Sequence, residues 1–268
     1  MTAVDLAGPL QDLVARTRQL RAIMALIEVS SKVPDEIGNE ARLRVDVSQL
    51  GGITSNTANA MCIVFLASSF EEFFRELVSQ CGVQLADSYS TVPTETKLIA
   101  RGSYWKACLD NLRFTSRILT KDTPKTLDVD ALSKAKAILD SARGFVMLDD
   151  GKSIEGKILS HHGRNFRPYV VEEIAARIGV KKILRKASDS NRLRRHFGVA
   201  TVAEVEPNLI AKLNDFYQTR NDIVHSLSSS TGFGVDYVND HIELVEAFAE
   251  SLKSVLQKHI AGWQAAAA

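Results

Sequence analysis

The sequence predicts an all-α protein. Two observations carry that expectation. Apolar residues recur at three- and four-residue steps along most of the chain, and no pair of alternating polar–apolar segments stands out as strands. Taken in order, residues 4–30 read as one long helix bent at Pro9. A loop follows, with Pro34 and a turn at residues 51–57, "GGITSNT". Residues 56–81 give the strongest helical pattern. "TVPTETK" at residues 91–97 starts a helix that continues to about Thr120. Asp128 is placed to cap the next helix, which runs to about Arg143, and "LDDGKS" at residues 148–153 turns the chain. Shorter helices over 166–178 and 182–196, a long one over 207–227 and a last one over 235–264 complete the reading. The terminal alanines carry no assignment.

The totals bound the function classes. With 268 residues the chain holds one large domain or two small ones, and 45% apolar residues suffice for a packed core. Lys and Arg number 33 against 32 Asp and Glu, so net charge selects no partner and any charged surface must be local. The first 20 residues lack a charged start followed by an apolar run, so no secretory signal is expected. No run of about 18 apolar residues predicts a membrane span. Cys62, Cys81 and Cys108 sit in apolar helical settings, which predicts free buried thiols in a reducing compartment. A cytoplasmic protein without membrane partners is the expectation. No Cys-x-x-Cys pair, zinc-ligand helix, phosphate-binding Gly-rich loop or Gly-x-Ser-x-Gly elbow is present, so neither metal nor cofactor is predicted.

One stretch is locally basic. Lys181, Lys182, Arg185, Lys186, Arg192, Arg194 and Arg195 stand against the single acid Asp189, with "HHGRNFR" just upstream. Such a run is first of all a solvated helix face. Its functional reading is contact with a phosphate backbone. Few aromatics are interleaved, so base stacking is not indicated.

The long late helix poses a sharper problem. With Leu213 at the centre of its apolar face, Leu209, Phe216, Tyr217, Val224 and Leu227 fall within about 60° of it, and so does Arg220. A guanidinium keeps its proton, and a buried charge without a partner costs several kcal/mol. Arg220 must therefore pair with a carboxylate, reach an edge, or face a cleft where an anion binds. Asn221 and His225 share a neighbouring face, whereas Arg220 and His225 diverge by about 140° on an ideal helix. On the helix of residues 56–81, with Phe70 at the centre of the apolar face, Glu71 and Ser69 lie at its two boundaries. Glu71 is the first candidate to reach Arg220, with Ser69 as a polar helper. A structural pair of Arg220 with Glu71 or Glu72 is the bland alternative. The half-helix "AMCIVFLA" is apolar all round and is expected to be covered on more than one side, by a larger core or by a second chain.

"RNDIVH" at residues 220–225, at the end of a late helix, together with "IVFLASSFEEFFRELV" at residues 63–78, resembles the HEPN superfamily (higher eukaryotes and prokaryotes nucleotide-binding). Its ribonuclease members carry Arg-x4–6-His, often with Asn after the Arg. The resemblance covers about residues 55–262 and is closest to prokaryotic members of toxin–antitoxin and phage-defence systems. It implies an antiparallel helical bundle at residues 55–268, with a variable helical insertion at about residues 121–206. Residues 1–54 then form an extra N-terminal helix and loop packed on that core. It also implies a homodimer that gathers two Arg–His motifs in one cleft, RNA as substrate, and an antitoxin or neighbouring defence protein as possible partner. Members that are tyrosine-modified by an antitoxin carry Tyr two residues after the His; here Leu227 stands there, which argues against that form of silencing.

The chemistry implied is metal-independent RNA cleavage. RNA supplies its own nucleophile, the 2′-hydroxyl. An imidazole titrates near neutrality and can take that proton or give one to the leaving oxygen. Arg220 would stabilise charge on the phosphate oxygens and Asn221 would orient His225 or the phosphate. The runner-up is a catalytically inactive HEPN-type RNA-binding or protein-interaction module in which Arg220 serves as a structural ion pair. The RNA cut and the identity of any regulator are not legible.

Overall fold

The structure, a computed structural model, describes residues 6–32, 52–114, 119–120, 124–163, 166–225 and 233–265. Pro34, Gly51, Leu227 and the terminal alanines 266–268 lie outside the described residues. Ten α-helices are present among those described: α1 (Ala7–Lys32), α2 (Gly52–Asp87), α3 (Thr94–Phe114), α4 (Val129–Ala142), α5 (Gly156–Ser160), α6 (Pro168–Arg177), α7 (Ile183–Ala187), α8 (Asn191–Phe197), α9 (Val202–His225) and α10 (Val235–Ala265). The one β-type contact among them is an isolated bridge between Leu119 and Leu127. The all-α expectation holds.

Several boundaries differ from the sequence reading, each for a local reason. Residues 52–57 are helical and not a turn, so α2 begins at Gly52 and continues to Asp87. Leu119 and Thr120 do not continue α3; the Thr120 amide donates to the Thr126 carbonyl at 2.9 Å and closes a small loop instead. Asp128 does cap α4, accepting from the Ala131 amide at 3.0 Å. The segment 182–196 is two helices. Ser190 accepts from the Leu193 amide and starts α8 afresh, and Gly198, at φ +62°, ends it in the left-handed conformation that favours glycine. The long late helix starts at Val202, five residues before Pro207. Thr201 donates from both its amide (3.0 Å) and its hydroxyl (2.7 Å) to Glu204, a cap that outweighs the Pro signal.

The chain divides into two compact units. One comprises Leu10–Phe73 and Ser188–Glu250; the other comprises Met1–Pro9, Phe74–Ala187 and Ser251–Ala268. In the first unit α10 is buried almost all round, through Val238, Ile242, Leu244, Val245, Ala247, Phe248 and Ala249. A helix apolar on every side belongs at the centre of a bundle. Phe70 of α2 packs on Phe248, ring centroids 5.4 Å apart, and α1 contributes Leu13, Leu20 and Met24 to the buried set.

The second unit is built on α3, with Tyr104, Ala107 and Cys108 buried. Its Gly156 permits a close approach: a Cβ there would stand 2.2 Å from the Ser79 carbonyl oxygen. All three cysteines are free and buried, and burial pushes the Cys81 and Cys108 thiols up to about 12.

Candidate functional site

The first unit holds every residue of the expected trio and both supporting residues. On α9, Leu209, Leu213, Phe216 and Tyr217 are buried as the periodicity predicts. Val224, placed in that stripe by sequence, is 45% exposed, and Asn221 and Ile223 are buried instead. At the end of the helix burial no longer follows one stripe: Asn221 and Ile223, on either side of it, are buried, while Val224 between them and His225 on the last turn are exposed.

Arg220 is half-buried and donates from Nη1 to Asn221 Oδ1 at 3.1 Å. One turn earlier lies the buried Tyr217, whose hydroxyl feels the charge of Glu71 on α2. Burial pushes its hydroxyl well above the ordinary value; Glu71 raises it further and Arg220 draws it back. Both charges thus lie within electrostatic reach of one phenol. Glu71 is half-buried. Glu72, the other acid considered for Arg220, is hydrogen-bonded by Arg16. Ser69 is buried, 3% exposed, and lies in the core rather than at the boundary of the apolar face.

Behind this corner sits a histidine that sequence reasoning missed. His241 of α10 is fully buried, with its ring stacked on Phe216 (5.2 Å, 22° between planes) and 4.3 Å from Tyr237. Its Nδ1 lies 2.7 Å from the Tyr237 carbonyl oxygen. A donor is needed there, so the ring is the Nδ1–H tautomer when neutral. Burial holds its pKa below the ordinary histidine value, offset in part by that carbonyl. Nearby Lys212 pairs with Asp240 at 2.9 Å, and His196 Nε2 lies 3.6 Å from the same carboxylate.

Also missed is Glu246, an acid in the all-round buried stretch of α10. It accepts from Thr17 (2.7 Å) and Arg21 (2.8 Å) of α1 and from Arg192 (3.0 Å) of α8. Burial pushes its carboxyl up, but those partners outweigh burial and hold it below the ordinary range. The logic applied to Arg220, a charge in an apolar stripe, was available for Glu246 and would have found it.

The seven cations of the basic stretch are divided between the two units. Lys181, Lys182, Arg185 and Lys186 belong to the second unit and are exposed, with Lys181 3.0 Å from Glu95. Arg192, Arg194 and Arg195 belong to the first unit. Arg192 is engaged with Glu246 and Glu250, and Arg194 donates to Asn191. Arg195 is exposed and lines two clefts, one shared with Arg21, Arg192 and His196, the other with Asn191 and Arg194.

Among the described residues no three His, Cys, Asp or Glu side chains converge as a metal site, and no helix is long and apolar enough to cross a membrane. What the trio offers is a half-buried cation held by an amide, a buried amide oxygen turned to that cation, and an imidazole open to solvent on the next turn. A family model described as RiboL-PSP-HEPN matches residues 36–258. Comparison with curated proteins and with solved structures finds no match.

Proposed function

The chain belongs to the RiboL-PSP-HEPN family, and from that premise we propose that it is an endoribonuclease that cleaves RNA through the RNA's own 2′-hydroxyl. Arg220 carries the reading. It keeps a permanent charge half-buried beside an apolar face, locked to Asn221 rather than spent on an exposed ion pair. A tetrahedral phosphate passing through a pentacoordinate state is what such a fixed donor is suited to stabilise. In this reaction the 2′-oxygen attacks the adjacent phosphorus, the bond from phosphorus to the 5′-oxygen breaks, the 2′-hydroxyl proton passes to an imidazole, and the 5′-oxygen takes up a proton. The products are a 2′,3′-cyclic phosphate and a 5′-hydroxyl. No step calls on a metal, because guanidinium and imidazole supply the charge and the proton transfer.

The reading includes a second copy of the chain. Arg220 and His225 diverge by about 140° along their helix, and a twofold contact would bring one copy's imidazole to the other's guanidinium. Met61 and Phe65, four residues apart on one face of α2, are 68% and 47% exposed in a stretch otherwise buried through Cys62, Ile63 and Leu66. That uncovered apolar face supports the dimer. The likeness of the sequence to toxin and phage-defence members supports an effector role under an antitoxin's restraint, in the cytoplasm.

A second reading, an inactive RNA-binding or interaction module, is favoured by the exposed position of His225 and by the Asn221 partner that Arg220 already has. One experiment separates them. Purified protein is incubated with total RNA in excess chelator, beside Arg220→Ala and His225→Ala. Cleavage that survives chelation and is lost in both variants supports the enzyme. Retention of RNA without cleavage supports the module.

A further inference from the structure

The second unit carries a cleft that the trio does not use. Its walls come from α3, from α6 and from the segment that follows α5, and it encloses about 430 Å³, lined by Asp110, Arg113, His162, Glu173 and Arg177 among others. That volume lies in the range of small-molecule sites. At its base Arg177 is 3% exposed. Nη1 donates to the Leu159 carbonyl at 2.8 Å and the His161 carbonyl at 2.5 Å, and Nη2 to Glu173 at 3.4 Å. These bonds fix the plane of a guanidinium that still lines the cavity.

The charge around it is unevenly committed. Glu173 is already met by Lys106 at 2.9 Å as well as by Arg177. Arg113, exposed on the last turn of α3, has no ion-pair partner among the described residues, and neither has Asp110 one turn before it. The corner has a positive bias. His161 beside the cleft is held below the ordinary histidine pKa, first by burial, then by the charges of His162 and Arg177, with Asp110 opposing. A buried, oriented guanidinium, a second guanidinium free to swing over it, and one carboxylate acceptor together match an anion that also carries a hydroxyl. Carboxylate beside two guanidinium groups disfavours a bare dianion and favours a ligand that can donate to it.

We propose that the cleft between α3 and α6 is a binding site for a small phosphate monoester, with its phosphate on Arg113 and Arg177 and a neighbouring hydroxyl on Asp110. The ligand's other end faces His162, whose ring lies 5.2 Å from that of Phe166. This site is independent of the nuclease reading, since every residue in it belongs to the second unit and the trio belongs to the first.

Isothermal titration of the full chain with ribose 5-phosphate, inorganic phosphate and ribose tests the proposal. Ribose 5-phosphate binds, inorganic phosphate binds more weakly, and ribose gives no heat. Arg113→Gln, a surface change that spares the core, weakens both phosphates roughly tenfold or more. Asp110→Asn weakens ribose 5-phosphate relative to inorganic phosphate, which binds more tightly once the carboxylate charge is gone. Absence of ribose 5-phosphate binding to the wild type, or binding of equal strength in Arg113→Gln, overturns the proposal. So does displacement of the sugar phosphate by a short single-stranded RNA in an Arg113-dependent manner, which would make the cleft a strand groove.

Discussion

Arg220 donates a hydrogen bond to the side chain of the residue that follows it, Asn221, across 3.1 Å. Asn221 is the buried partner of the two, so the amide anchors and the guanidinium is aimed. Replacing Arg220 with Ala or Lys should therefore reduce the single-turnover RNA cleavage rate by about two orders of magnitude or more. Lysine keeps the charge but loses the fork and the bond to Asn221. Because Arg220 is only half-buried, the melting temperature should stay near that of the wild type, measured in the same preparations.

Glu246 should prove the most expensive single carboxylate to remove in the first unit. Thr17, Arg21 and Arg192 all donate to it, and its side chain is 10% exposed. Glu246→Ala leaves Arg21 without this carboxylate and Arg192 with Glu250 alone, and because solvent reaches both guanidinium groups it should cost about 1–2 kcal/mol, whereas Glu246→Gln, which keeps an acceptor oxygen, should cost less. Urea unfolding of both variants checks the order.

Acid should weaken the fold before it titrates any carboxylate. His241 is buried and its folded pKa is depressed, so between that value and the ordinary histidine value, about 6.5, the unfolded chain binds the extra proton. Stability is thus full above the ordinary value and is lost as pH falls through the window beneath it. His161 and His259 are shifted the same way, chiefly by burial, and add to the slope. Stability of the wild type should fall between about pH 7 and pH 5, and His241→Phe, which keeps a ring against Phe216, should flatten part of that fall. A slope unchanged in the variant would remove His241 from the account.

Phe65→Glu should convert the proposed dimer to a monomer in sedimentation velocity while leaving helicity intact, because Phe65 is 47% exposed beside Met61, where a carboxylate can reach water. RNA cleavage should fall with dimerisation. A dimer that survives both Phe65→Glu and Met61→Glu would place the twofold contact elsewhere.

Helix identity was legible because periodicity survives in single stretches: Phe70, Phe73, Phe74 and Leu77 on α2, or Leu209, Leu213 and Phe216 on α9, announce their faces without a partner. Boundaries were less so. The break at Ser190 depends on one side chain accepting from Leu193, and residues 52–57 fold as helix despite two adjacent glycines at 51 and 52. Arg220 drew attention because it stands in an apolar stripe, and its half-buried side chain fits that position. Glu71 was singled out from the edge of its helix face, but that its charge acts on the Tyr217 hydroxyl, far away in sequence, emerges only in three dimensions. The same holds for Glu246 with Thr17, 229 positions apart. Val224 was misplaced because the single buried stripe does not persist to the end of α9, where Asn221 and Ile223 on its two sides are buried and Val224 between them is exposed.

The most direct measurement is the chemistry of the RNA ends. A defined single-stranded RNA is incubated with the full chain in excess chelator, and the fragments are analysed by mass spectrometry. The account predicts 2′,3′-cyclic phosphate and 5′-hydroxyl termini from the wild type and intact RNA from Arg220→Ala and His225→Ala. Fragments bearing 5′-phosphates, or the same cyclic ends from the two variants, would contradict it.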